Sequence, residues 1–278
     1  MRPLQETIIH ELGVHPTINP VEEIEQRTNY LAHYLASSGL RGFVLGISGG
    51  QDSLLAGMLA QRAVEKQRAI GNEATFHAVL LPYGTQADRA DALEACEVIA
   101  PDVVHDIDIA PSVDAFTHTY ETALGMPLAD LDKGNVKARM RMIAHYALAG
   151  SEHLLVVGTD HAAEAVTGFY TKYGDGGADI LPLAGLSKRQ GKALLRQLDV
   201  PEHFVTKAPT ADLLDTKPGQ TDEHELGISY DELDDYLEGG AVAAAVAETI
   251  ETRYQLSRHK REMPAAFTPP TVRSTLSI

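Results

Sequence analysis

The sequence predicts a doubly wound α/β fold, a parallel sheet flanked by helices. Two observations carry that prediction. Short, apolar, partly β-branched runs alternate with segments of helical periodicity, and a glycine-serine turn separates the first such run from the helix after it. With 278 residues and 44 % hydrophobic content the chain can bury a substantial core, and its length favours one elaborated domain over residues 1–278.

The elements follow in order. Asn19-Pro20-Val21-Glu22 reads as an N-cap, a proline at the first helical position and a capping-box glutamate, with Val21, Ile24, Leu31 and Leu35 on one helical face. Gly39 ends that helix, so residues 1–40 form an N-terminal helical segment. Residues 42–47 suit a buried parallel strand, and Leu54, Leu55, Met58 and Leu59 resume helical spacing beyond the turn. Strands over 76–81, 103–107 and 154–157 and helices over 87–99, 113–124 and 136–148 continue the alternation. In the last of these helices Val136, Met140, Ile143 and Ala147 share a face, which lets Arg139 or Arg141 look into a cleft. Residues 206–227 have little periodicity, and a span of that length in a compact domain is expected to be a mobile lid. Leucines at i and i+4 in the acidic run 231–238 mark a solvated helix surface over a narrow apolar stripe.

Charge and cysteine usage exclude several functions. Lysine plus arginine number 23 against 39 aspartate plus glutamate, and the net charge of -16 repels polyanions, so no nucleic-acid partner is expected. Cys96 is the only cysteine and lies in an apolar-periodic run, which rules out an internal disulfide and makes a core role and a cytoplasmic location the simplest reading. No apolar stretch approaches the roughly 20 residues that cross a bilayer, and the N-terminus lacks a signal-peptide pattern, so no membrane association is expected.

The chemistry begins at Gly46-Ile47-Ser48-Gly49-Gly50-Gln51-Asp52-Ser53. Between a strand and a helix, its glycines let backbone N–H groups approach an anion while the helix N-terminus adds a favourable dipole. The segment has neither the lysine of a Walker loop nor the glycine spacing of a dinucleotide-binding turn. It resembles the PP-loop of the ATP pyrophosphatases, of adenine nucleotide α-hydrolase-like fold, which cleave ATP between the α- and β-phosphates. The resemblance then extends over the chain. Lys133-Gly134-Asn135-Val136-Lys137-Ala138-Arg139, Gly158-Thr159-Asp160-His161-Ala162-Ala163-Glu164, residues 169–179, Lys188-Arg189-Gln190-Gly191, Pro209-Thr210-Ala211-Asp212-Leu213 and His259-Lys260-Arg261 are together similar to the bacterial, ammonia-using NAD synthetases.

That resemblance implies a ligase that uses ATP to activate the nicotinate carboxylate of deamido-NAD and converts it to the amide with ammonia. It implies an ATP site at Gly46 through Ser53 with Thr159, Lys188 and Thr210, and magnesium on Asp52 and Glu164. It also implies deamido-NAD contacts from Arg139, Lys172, Asp179, His259, Lys260 and Phe169, and a homodimer with the dinucleotide at the subunit contact. Magnesium keeps waters and bridges phosphates with one or two carboxylates, which suits this pair. Lys188 near the α-phosphate would offset charge during attack, and Asp175 is a candidate acceptor for the ammonium proton. No glutaminase domain is expected, so free ammonia is the expected donor, and segments 83–91 and 206–227 would serve as covers that exclude water.

Plainer readings stand beside several of these. Phe169 can be a core residue, Thr159 a helix N-cap and residues 259–261 a solvated basic tail. Asp160, His161 and Glu164 could hold zinc or iron, but the remaining ligands are not evident at typical spacing, and His161 reads as orienting its loop. One departure from the family pattern is Leu80, where an arginine usually precedes the proline by two residues.

Overall fold

A computed structural model describes residues 2–85, 88–209 and 221–267. Strands β1 (Gly42–Gly46), β2 (Thr75–Leu80), β3 (Val103–Asp106) and β4 (Leu154–Val156) form one parallel sheet in the order β3-β2-β1-β4. Gly42 is in register with Thr75 on one side and with Leu154 on the other. The chain leaves β1 toward β2 and β3 and then returns to β1's opposite edge, so the carboxyl ends of β1 and β4 flank a topological switch point, where open α/β sheets bind ligands.

Alternation along β1 explains the two faces. Phe43 and Leu45 point into a core built with α2 (Pro20–Ser38), α3 (Gln51–Ala69), α4 (Arg89–Ile99) and α8 (Lys188–Gln197). Val44 points the other way, with Val79 and Val156, toward α5 (Ala110–Leu124) and α6 (Asp130–Glu152). Cys96 belongs to the first of these cores, and burial pushes its thiol up from the ordinary range. A third cluster is built mainly by helices: α1 (Pro3–Glu11), α7 (Ala162–Thr167), α11 (Tyr230–Leu237) and α12 (Ala244–Leu256) bury Ile8, Val166, Leu233, Tyr236 and Ile250 among themselves. Gln5 fixes α1 there by donating to the carbonyls of Tyr236 and Gly240.

The strands fall within a residue of their expected bounds, while the helices need correction. The N-terminal segment is two helices, and α2 is capped by the Asn19 side chain on the Val21 N–H and ended by Gly39 in the left-handed region, φ +72°. Its buried face is Ile24, Thr28, Leu31, Ala32 and Leu35; Val21, in the first turn, points to solvent. Helix α6 starts at Asp130, and of its expected face Ile143 (53 % exposed) and Ala147 look outward, while Val136 and Met140 pack together with Ala144 and Leu148. Both ends of the segment expected as a lid, 206–227, belong to helices. Thr206 ends α9 (Glu202–Thr206), and α10 (Asp222–Leu226) buries both Asp222 and Leu226; 210–220 lie outside the described residues. The cover expected over 83–91 is likewise partly helix, since α4 begins at Arg89. Among the described residues no helix is long and apolar enough to cross a membrane.

Candidate functional site

A cavity of about 610 Å³ opens at the switch point. Its floor is the loop from β1 to α3, where Gly49 adopts φ +76° and the Gly50 N–H donates to Ser48 Oγ at 3.2 Å. Ser48 Oγ and Ser53 Oγ lie 3.1 Å apart and tie the two ends of the loop together. No side chain caps α3, so its first N–H groups are left for an anion. The Gln51 side chain, by contrast, is buried and donates to the carbonyls of Val205 and Lys207 at 2.8 and 3.0 Å.

Asp52, in the first turn of α3, accepts from Lys188 Nζ at 2.7 Å. Lys188 is the first residue of α8 and is 4 % exposed. Its position is set by α11: Asp234 accepts from the backbone N–H groups of Lys188 and Arg189 at 2.9 and 2.7 Å, and Glu238 accepts from Ser187 Oγ at 2.8 Å. Burial pushes the Asp234 carboxyl up to about 6, against those two N–H donors. The acidic run is therefore more than a solvated surface. At 100° per residue Asp234 sits about 40° from the buried Tyr230, a placement that a helical wheel would have flagged. Asp234→Ala should raise KM for ATP about tenfold and lower the unfolding midpoint, because two helix N–H groups lose their acceptor; steady-state kinetics with thermal unfolding checks both.

The turn after β4 supplies the opposite wall. Thr159 lines the cavity, but the N-cap of α7 is His161. Glu164 follows on α7, and Asp52, His161 and Glu164 each offer a ligand atom within 4.8 Å of the others. The structure thus brings His161 to the carboxylate pair, a third donor that spacing did not reveal. His161 is 3 % exposed, and neither ring nitrogen has a hydrogen-bond partner among the described residues. Burial lowers it to about 4, so the ring is neutral near neutral pH. Nothing in these contacts supports the expected role of orienting the loop.

Carboxylates crowd this wall. Burial, then the nearby charges of Asp52 and Asp160, holds Glu164 well above the usual carboxylate range. Burial, Asp175 and Asp52 push Asp160 up to about 7. Burial opposes the charged form of Asp52 too, yet the Lys188 ammonium beside it leaves Asp52 below its ordinary value. A compact group of acids with one engaged ammonium is the setting a divalent cation fits.

The remaining residues singled out from the sequence divide in two. Phe169, Asp175 and Lys260 line the cavity. Phe169 is half-buried and also packs on the helical cluster, so both of its readings hold. Asp175 accepts from the Thr171 N–H, and Lys260 Nζ donates to the carbonyls of Gly168 and Tyr170, each at 2.7 Å. Lys260 and Arg261 are docked, Arg261 donating to the Ala165 carbonyl, whereas the His259 side chain is exposed. Arg139, Lys172 and His259 form a rim outside the cavity lining, with Arg139 Nε on the Lys172 carbonyl and Lys172 Nζ on the His259 carbonyl. Asp179 stands apart at the sheet, accepting from the Val156 N–H at 2.8 Å and Tyr146 Oη at 3.1 Å. Thr210 lies outside the described residues. Leu80 is buried in the core, while Arg141 on α6 lines the cavity and donates to the neighbouring Leu81 carbonyl at 3.0 Å.

The comparisons agree with this geometry. The family model described as NAD synthase matches residues 23–264. An NH(3)-dependent NAD(+) synthetase of Bacillus licheniformis is 60 % identical over 264 residues, 95 % of this chain and 97 % of that protein. The crystal structure of an NAD+ synthetase from Burkholderia pseudomallei superposes with a TM-score of 0.81 at 48 % identity, over 94 % of this chain and 96 % of the other. An NMN synthetase from Francisella tularensis follows at 0.79 and 38 %, over 91 % and 99 %. With the family model spanning nearly the whole chain and the loop, the acid cluster and Lys188 meeting in one cavity, the chain belongs to the NAD synthase family.

Proposed function

We infer that the chain is an ammonia-dependent ligase that joins ammonia to the nicotinate carboxylate of deamido-NAD, forming NAD, AMP and pyrophosphate through an acyl-adenylate. The observation that carries this reading is the meeting of Asp52, Lys188 and Glu164 across the uncapped N-terminus of α3. Magnesium bound by Asp52 and Glu164 would neutralise charge on the phosphates. The two carboxylates and the excess of buried acid fit such an ion.

ATP lies with its β- and γ-phosphates over Ser48 to Ser53 and its α-phosphate toward Lys188. The nicotinate oxygen attacks the α-phosphorus, the bond to the bridging oxygen breaks, and pyrophosphate takes that electron pair into the loop. Thr159 and Thr210 complete the ATP site. Lys260 and Phe169 inside the cavity and Arg139, Lys172 and His259 on its rim hold the dinucleotide, with Asp179 reaching it from the sheet edge. Asp175 takes the proton from ammonium before nitrogen attacks the acyl carbon. Asp175→Asn should slow amide formation more than adenylate formation, and rapid-quench measurement of both steps, if it found equal losses, would count against the role.

A second copy of the chain covers the face where Phe116 and Leu124 on α5 and Leu131 and Ile143 on α6 are exposed. Mass in solution tests this. We read the chain as a single cytoplasmic catalytic unit. The deciding assay supplies ATP with either ammonium or glutamine, and either deamido-NAD or the mononucleotide as acceptor. AMP and pyrophosphate formed one-to-one with NAD, on ammonium alone, is the expected result; ADP and orthophosphate would overturn it.

A further inference from the structure

The loop from Gly46 to Ser53 contains no cation, and Lys188 is engaged by Asp52. The leaving group is nevertheless the most highly charged species in the reaction. We propose that Lys207 is a pyrophosphate-binding residue of this site, supplying from a distant part of the chain the ammonium that a Walker loop carries within itself.

The geometry begins with the backbone. Gln51, buried beneath the loop, donates its side-chain N–H groups to the carbonyls of Val205 and Lys207, so the loop itself holds the main chain that bears this lysine. The side chain then turns back over the loop, and Lys207 Nζ donates to the Gly49 carbonyl at 3.1 Å. Its second partner is Asp91 Oδ2 at 2.5 Å, on the first turn of α4. Both Lys207 and Asp91 are partly exposed, 26 % and 38 % by side chain, and Lys207 lines the cavity. An exposed pair of this kind is held weakly. A phosphate group bearing several negative charges is a stronger acceptor than one screened carboxylate. Lys207 therefore exchanges Asp91 for the β- and γ-phosphate oxygens when nucleotide enters, without leaving the Gly49 carbonyl. As the bond from the α-phosphorus to the bridging oxygen breaks, the ammonium stabilises the charge gathering on pyrophosphate; it transfers no proton.

This rests on the reading of the loop as an ATP site, and the test separates the two. In the full chain, inhibition by inorganic pyrophosphate and by AMP is measured for wild type, Lys207→Met, Lys207→Arg and Asp91→Asn. Lys207→Met should raise the pyrophosphate concentration giving half-inhibition by about 10- to 100-fold, the worth of a charge-assisted hydrogen bond, and move that for AMP less than about threefold. Lys207→Arg should stay within a few-fold of wild type. Asp91→Asn should leave pyrophosphate inhibition unchanged or tighter, because the competing acceptor is gone. If Lys207→Met weakens AMP and pyrophosphate alike, or Asp91→Asn weakens pyrophosphate as Lys207→Met does, the lysine only fastens α4 to the loop and the proposal falls. If wild type forms no AMP and is indifferent to pyrophosphate, the ATP reading itself has failed.

Discussion

Replacing Lys188 with methionine should lower kcat/KM for ATP by about 100- to 1000-fold, the usual loss when one preorganised electrostatic stabiliser is removed from a reaction centre. The ammonium is buried, bonded to Asp52 at 2.7 Å, and held by Asp234 through its own backbone N–H, so neither water nor a neighbouring lysine can take its position. The same substitution should cost about 3 kcal/mol of stability in the absence of divalent cations. That is the lower end for breaking a buried pair, since the Asp52 side chain keeps 24 % exposure. The direction with pH follows from the charges. Asp52 titrates below its ordinary value in the intact protein, so its pairing stabilises the fold at neutral pH and is lost as pH falls through that lowered range. The gap in unfolding midpoint between wild type and Lys188→Met should therefore narrow toward acid. Lys188→Met with Asp52→Asn should be more stable than Lys188→Met alone, because the stranded carboxylate is gone. A gap that widens toward acid would contradict the pairing.

The second large effect is expected at Gly49. Its φ of +76° costs an L-residue about 1–2 kcal/mol, and an added Cβ would lie 2.6 Å from the Ala92 nitrogen and 2.8 Å from the Asp91 carbonyl carbon. Those are backbone atoms of α4 and cannot rotate aside. Gly49→Ala must displace the loop or the helix, and a shift of about 1 Å in a positioning element can cost about 100-fold in rate. Gly50→Ala is the comparator: its Cβ meets only Ser48 Oγ, at 3.2 Å, and φ is already −93°. It should lose less than about tenfold. Equal losses in kcat/KM for ATP would mean that the close approach to α4 is unimportant.

These two positions also show what was legible in the sequence. The strand, the glycine turn and the amphipathic start of α3 are local, so periodicity and turn chemistry found the loop and Asp52 without reference to the rest of the chain. Glu164 was legible only through the motif around it, because an exposed helix carboxylate has the same local pattern. A helical wheel would have shown that Asp234 is buried but not what it holds, and the contribution of Lys207 was not legible at all. Each acts on a segment far along the chain, α8 and the Gly49 carbonyl respectively, and spacing in one dimension does not report a contact of that kind. The nearness of His161 to Asp52 was hidden for the same reason: it exists only once the turn after β4 is laid beside the first turn of α3. Hydrophobic pattern failed at Val21, and on α6 it was phased wrongly: Ile143 and Ala147 are exposed, and the helix packs through Val136, Met140, Ala144 and Leu148.

Asp52 is mounted on a helix of the sheet layers, whereas Glu164 belongs to the helical cluster that Gln5 helps to anchor. The space between these two oxygen donors is thus a gauge of how firmly one slab seats on the other. Wear along that seam, even beyond reach of any substrate, would register first as a change in the spacing of these donors, while the strands and helices on either side stayed intact.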